Sequence, residues 1–288
     1  MSDSNSVINL GDIAKPADTL IKKVSAAIGG YFKPYQITRV ANAEAEASLI
    51  KAQSDIQITD LHRRAMARFV AEEAKKQENI EAITEKAVPL LEANSRPEKL
   101  DDDWITNFFD KCRIVSDQEM QELWAKVLSG EANAPGTYSK RTVDFLGTLD
   151  RADAEAFSKL MRFSWNIGGH LPLVYDLEAP IYKDAGINFS LLTHLDDIGL
   201  VSFQSLAGFK RLGLPKQAVV FYFDMPLMFE FTKEGKNEIQ TGKVLLTKTG
   251  KQLAGLCQAT PIDGFVEYVA TKWCADGIVT STPISIRR

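Results

Sequence analysis

From Pro34 to about Ala93 apolar residues stand sparsely and regularly among Ala, Glu, Lys, Arg and Gln, with almost no turn-forming residues between them. That pattern predicts one long helix. Ala47, Ile58, Phe69, Ile80 and Leu91 recur every eleven residues, and Ile50, Leu61 and Ile83 form a neighbouring line that Glu72 interrupts. Eleven residues make three turns at about 3.67 per turn, so the stripe stays on one side of a nearly straight rod. Unbroken from residue 35 to 88, the rod is roughly 80 Å long at about 1.5 Å per residue. Pro89 should end or kink it, because it lacks an amide donor and clashes with the preceding turn. A stripe this long predicts self-association; folding back on the downstream domain, with a bend at the β-branched "IQIT", is the alternative.

Ahead of the rod, "IAKPADTLIKKVSAAIGGYF" places Ile13, Ala17, Leu20, Ile21, Val24, Ile28, Tyr31 and Phe32 on one helical face, with Lys15, Lys22 and Lys23 off it. Such a helix suits protein contact, within an oligomer or with a partner protein. Lying on a membrane surface is a weaker reading, since it normally draws on more than three lysines.

After the polar break "ANSRPEKLDDD" the pattern becomes that of a helical bundle. Asp102 or Asp103 can cap a helix carrying Trp104, Ile105, Phe108 and Phe109. Ser116 and Glu119 have capping-box spacing before a helix whose Met120, Leu123, Trp124, Val127 and Leu128 form a core stripe. Gly130 and "NAPG" turn the chain; Ser139 and Asp150 cap two further helices. Every conspicuous residue of "SDQEMQELWAKVLSGEANAPGTYSKRT" thus has a structural job. The competing readings are a catalytic pair, such as Glu131 with Arg141, or a binding surface.

From about residue 171 helix and strand signals mix. "FSLLTHLDDIGLVSF" reads as a helix closed by Gly199. "QAVVFYF", "PLMFEF" and "KVLLT" read as strands, with "TKEGKNEIQTG" as a hairpin loop. "LTKTGKQLAGLC" and the stretch from Thr260-Pro261 through "IDGFVEYVATKWC" read as helices. Helix, hairpin and helix in that order suggest a winged-helix-like module. The expected fold is therefore mainly α with a C-terminal α+β part: an amphipathic helix over 1–33, a long helical rod over 34–96, a central helical domain over 97–170, and a winged-helix-like domain over 171–288.

Composition narrows the functions. A net charge of −4 and a pI of about 5.6 argue against wholesale coating of nucleic acid. Locally, residues 205–251 carry Lys210, Arg211, Lys216, Lys233, Lys236, Lys243, Lys248 and Lys251 against four acidic side chains, a modest basic excess that makes nucleic acid an alternative partner. Cys112, Cys257 and Cys274 are far apart and predict neither a disulfide framework nor zinc. With no signal-peptide or membrane-spanning pattern, a cytoplasmic protein is expected. "TKTGKQ" lacks the earlier glycine and the Ser or Thr after lysine that a phosphate-cradling loop needs. No nucleophile elbow or H-E-x-x-H helix occurs, and His62, His170 and His194 lack a second imidazole at helical spacing. No cofactor, metal or catalytic residue is expected.

The stretches "KPADTLIKKVSAAIGGYFKPYQITRVANAEAEA", "WITNFF" through "SDQEMQELWAKVLSGEANAPGTYSKRT", and "DAEAFSKL" together resemble an uncharacterised bacterial family, the domain of unknown function numbered 2806. "LTKTGKQLAGLC" is similar, over a short stretch, to the closing element of phage abortive-infection proteins. The resemblance implies a bacterial protein with a phage-defence context and carries over no catalytic residue. Three functions stay open: an oligomeric scaffold or sensor, a winged-helix-type nucleic-acid regulator, and a peripheral membrane effector. Interface candidates are Leu20, Ile21, Val24, Ile28, Ile50, Ile58, Leu61, Phe69, Ile80 and Ile83.

Overall fold

The structure, a computed structural model, describes residues 14–28 and 59–281. They divide into two compact units, 1–148 and 149–288. The division falls at Thr148/Leu149 and not near 170, because the helix capped by Asp150 packs against the later helix Phe189–Asp197.

In the first unit, α1 (Ala14–Ile28) is followed after the undescribed stretch by α2 (Asp60–Ala87), α3 (Asp102–Cys112), α4 (Gln118–Asn133) and α5 (Lys140–Leu146). Pro89 does what its chemistry dictates: α2 stops at Ala87 and passes into a 3-10 turn, Val88–Leu90. Whether the helix extends back through 34–58 lies outside the described residues. Asp101, one residue earlier than expected, caps α3 by accepting the Trp104 amide at 2.8 Å, and Asp117, not Ser116, caps α4 by accepting the Met120 amide at 2.9 Å. Ser139 caps α5 as expected. The core gathers Trp104, Phe108, Phe109 and Trp124, with Phe108 stacked on Trp104 at 5.2 Å and edge-on to Trp124 at 5.0 Å.

The second unit opens with α6 (Arg151–Met161), whose Asp150 and Asp153 form a reciprocal capping box. Strands β1 (Ser164–Asn166) and β2 (His170–Pro172) come next, then α7 (Pro180–Lys183) and α8 (Phe189–Asp197). The remaining strands are β3 (Val201–Phe203), β4 (Phe209–Leu214), β5 (Gln217–Tyr222), β6 (Met225–Glu230), β7 (Asn237–Gly242) and β8 (Val244–Leu246). Last come α9 (Lys248–Ala254), α10 (Phe265–Ala275) and β9 (Val279–Ser281). β3 pairs with β8, β4 with β7 and β5 with β6, all antiparallel, so residues 201–246 form one nested hairpin. Its tip joins a sheet of order β2-β1-β5-β6-β9. "NEIQTG", expected to be loop, is strand β7: its Asn237, Ile239 and Thr241 point inward in strict alternation. The fold of this unit is α+β.

The inner sheet face is aromatic. Trp165 stacks on Tyr222 at 5.3 Å and meets Trp273 of α10 at the same distance, while Phe265 of α10 meets Tyr222 at 5.3 Å. Tyrosine hydroxyls fasten the unit. Tyr222 donates to the Arg162 carbonyl at 2.8 Å and accepts the Ile262 amide at 2.6 Å, and Tyr182 donates to the Leu173 carbonyl at 2.8 Å. Burial raises the pKa of all these groups: Tyr175 and Tyr182 strongly, Tyr222 and Tyr268 less so.

Candidate interaction surfaces

Of the two residues that the sequence offers as a catalytic pair, Arg141 is exposed and Glu131 has a backbone partner on each carboxylate oxygen. Glu131, buried in α4, accepts the Gly136 amide at 2.6 Å and the Tyr138 amide at 2.7 Å, clamping the "NAPG" turn. The Tyr138 carbonyl in turn accepts the Trp104 indole N–H at 2.8 Å. Burial, with the Glu131 charge adding to it, pushes the Tyr138 hydroxyl up to about 12. In "TKTGKQ", Thr247 caps α9 through the Gly250 amide at 3.0 Å, and a methyl group on Gly250 would run into the Leu200 carbonyl. That glycine serves helix-to-strand contact. His194 meets Asp153 at 2.6 Å on the surface of its unit, and among the described residues no cluster of His, Cys, Asp or Glu is arranged to hold a metal.

What does stand out is the unequal cover of α2. Its C-terminal half is core: Ile80, Ile83, Thr84 and Ala87 are buried, and α2 packs closely against α4 there. A polar network locks this half in place. Asn79 donates to the Arg113 carbonyl at 2.8 Å, Gln121 donates to the Val115 carbonyl at 2.9 Å, and Lys86 reaches Gln121 at 3.0 Å. From Thr59 to Lys75 every residue is exposed. Leu61 is 66% and Phe69 59% exposed, whereas Ile80 is 6% and Ile83 0% exposed, although all four belong to the same stripe.

The interface candidates are therefore split. Ile80 and Ile83 are corrected to core, because α2 packs there against α4 and α3, with Ile80 beside Phe109 of α3. Leu20 and Val24 are likewise core, fully buried on α1, which packs against α3 and the 3-10 turn Pro97–Lys99. α3 can receive α1 because it is apolar on more than one side. Lys23 pins the contact by donating to the Leu100 carbonyl at 3.3 Å and to Asp102 at 2.6 Å. Ile21 and Ile28 are half-covered; Ile50 and Ile58 lie outside the described residues. Leu61 and Phe69 are bare.

At about 100° per residue, Leu61, Ala65, Phe69, Met66 and Val70 fan over roughly 180° of the helix circumference. A single packed neighbour covers a stripe nearer 100° wide. Glu72, His62 and Glu73 interrupt this arc, at about 20°, 100° and 120° from Leu61 on the same scale, and ion pairs join Arg64 with Asp60 at 3.1 Å, Arg68 with Glu72 at 3.4 Å and Lys75 with Glu78 at 3.8 Å.

In the second unit a further apolar surface was not foreseen as such. Cross-strand partners Val219 and Met228, with Phe221, Met225 and Val279, are exposed on the sheet face opposite the aromatic core or at its hairpin turn. Alternation in "QAVVFYF" could have revealed it: Val219 and Phe221 are the outward positions of a strand whose Val220 and Tyr222 point in.

The basic candidates are spread along the nested hairpin and α9. Lys210 and Arg211 sit on β4, Lys216 precedes β5, Lys233 and Lys236 lie between β6 and β7, Lys243 lies between β7 and β8, and Lys248 and Lys251 are on α9. Lys210 is paired with Glu238 and Lys216 with Glu234, both at 2.7 Å. The Arg211 guanidinium lies against Gly168.

This geometry is accompanied by one family match. The chain belongs to the DUF2806 family, described as proteins of unknown function. The DUF2806 model matches residues 63–270, which begins on the bare half of α2 and ends within α10. No curated protein and no solved structure matches the chain, and the likeness to abortive-infection proteins gains no support.

Proposed function

We propose that this protein is a non-enzymatic scaffold or sensor that assembles with further copies of itself, using the bare half of α2. The observation that carries the reading is the continuity of one apolar stripe across two environments: buried at Ile80 and Ile83, bare at Leu61 and Phe69. Its bare arc is wider than one neighbouring helix covers, so a second copy presenting the same face can dock by two-fold symmetry. The Met66 and Val70 flank is the contact assigned to that copy. The apolar sheet face of the second unit adds to a reading based on protein contact. No helix among the described residues is long and apolar enough to cross a membrane.

Replacing Met66 and Val70 together by Glu tests the assignment. Charge on both subunits of a symmetric interface is desolvated and repels itself, so the light-scattering mass should fall to that of one chain while the helical circular dichroism persists. An unchanged mass in a protein that is larger than one chain places the interface elsewhere.

The winged-helix nucleic-acid reading rests on the helix, hairpin and helix order of α8, β3–β8 and α9. Two of its eight basic candidates are already neutralised by carboxylates. A binder of this kind should lose DNA or RNA by orders of magnitude between about 50 and 200 mM salt. No mobility shift at low salt would remove it.

A further inference from the structure

At about 100° per residue, Thr59, Arg63, Met66, Val70, Glu73 and Gln77 all fall within about 40° of one line along α2. Their spacing alternates four and three, as in the seam of paired helices. The first five are exposed. Gln77 is half-buried at the foot of the bare half, beside an open cleft of about 240 Å³ whose lining includes Glu73, Gln77, Ile28 and Phe109.

Counted outward from Arg68, this line is complementary to its own reverse. Met66 and Val70 stand two residues either side of that centre, Arg63 and Glu73 five, and Thr59 and Gln77 nine. An antiparallel copy centred there brings Met66 onto Val70, Arg63 onto Glu73 and Thr59 onto Gln77, and two-fold symmetry makes each contact twice. A parallel copy instead sets Arg63 against Arg63 and Glu73 against Glu73. Sliding an antiparallel copy by one heptad sets Val70 against Glu73, or Arg63 against Met66. Charge therefore selects both the direction and the register. Arg68 itself points away from the line, and Phe69, about 80° off it, meets its own copy beside the centre.

The charged pair is available for this contact. Arg64 pairs with Asp60 and Arg68 with Glu72 in their own helix, whereas Arg63 has no ion-pair partner among the described residues. Lys76 bonds one Glu73 oxygen at 2.6 Å, and the second oxygen can receive an arginine. Arg63 and Glu73 of one chain are about 15 Å apart along the helix, too far to pair with each other. We infer that two copies pair antiparallel through this line, with the two-fold axis at Arg68 and with Arg63 of each copy bonded to Glu73 of the other. The Thr59 end of each α2 then comes to the cleft beside Gln77 of the other copy. The inference rests on the self-association proposed above and adds its direction and register.

Charge exchange in the full chain tests this, with dissociation constants read by sedimentation equilibrium at low salt. Arg63→Glu and Glu73→Arg each bring like charges together twice, so either alone should weaken association on the order of tenfold. Combining them exchanges the charges and should return the constant to within about threefold of the unsubstituted protein. Arg64→Glu, the same charge change about 140° off the line, should also stay within about threefold. Circular dichroism checks that each variant keeps its helix. Single variants that associate like the unsubstituted protein, or a combined variant as weak as the singles, would overturn the pairing. If Met66→Glu with Val70→Glu still dissociates the protein in that case, self-association through this face stands and only the register is lost. An unsubstituted protein that stays at the mass of one chain at tens of micromolar ends both.

Discussion

Replacing Glu131 by Ala removes the acceptor for two backbone N–H groups, those of Gly136 and Tyr138, in a turn whose Tyr138 amide is buried. Leaving a buried donor unpaired costs about 1–3 kcal/mol, so two cost about 3 kcal/mol even if the Gly136 amide recovers partly with water. The loss should spread, because the Tyr138 carbonyl anchors the Trp104 indole and the Tyr138 ring lies over Gly130. Glu131→Gln keeps one acceptor oxygen but points an NH2 donor at a second N–H, so its cost should be about half. Amide hydrogen exchange reads the first unit without interference from the second. Exchange at Gly136 and Tyr138 should quicken on the order of 100-fold in the Ala variant and about tenfold in the Gln variant, since about 1.4 kcal/mol is a factor of ten. Under urea, a shift of about 2 M is expected if the first unit unfolds with a slope near 1.5 kcal/mol per molar. Exchange unchanged within a factor of two in Glu131→Ala would refute the clamp and reopen a chemical role for the carboxylate.

Three other outcomes stem from the packing. Ile83→Ala, at a fully buried position, should cost about 2–5 kcal/mol, whereas Ile114→Ala, at 69% exposure, should stay within about 0.5 kcal/mol; thermal unfolding of both compares them. Gly250→Ala should destabilise the second unit measurably, by forcing α9 off the Leu200 carbonyl, and its amide exchange near Leu200 should quicken; an unaffected protein would show that the close approach is not required. The Tyr138 hydroxyl titrates at about 12 in the folded unit and near 10 when unfolded, so its contribution is complete below about pH 10 and is lost as pH rises toward 12. Urea midpoints taken between pH 8 and 11.5, with tyrosinate absorbance, should show unfolding accompanying ionisation; tyrosinate appearing near pH 10 in protein that stays folded would contradict the burial argument.

Local signals were legible in this chain where one residue suffices to state them. The Ser139 and Asp150 caps, the stop at Pro89 and the closure of α8 before Gly199 each follow from one backbone group needing one partner. The β5 and β6 strands were equally plain, because aromatic and β-branched residues crowd them. Short or polar strands were not: β1 and β2 are too brief to show a period, and β4 and β7 carry Gly, Lys, Asn and Gln that read as turn. The central difficulty lay in the apolar stripes. Periodicity reports that a face is suited to burial, but not which surface buries it. Leu20, Val24, Ile80 and Ile83 show the same signal as Leu61 and Phe69, and only the packing of α3 and α4 separates core from bare surface. The boundary at Thr148/Leu149 was hidden for a related reason: nothing in "GTLDRADAE" beyond an ordinary helix cap marks the change of unit.

Self-association rests most directly on the mass of the intact chain in solution. Multi-angle light scattering across a dilution series, with tens of micromolar at the top, should return a mass well above the 31.9 kDa of one chain and falling toward it on dilution. A constant 31.9 kDa at every concentration would contradict the scaffold reading and leave the bare flank of α2 to another kind of partner.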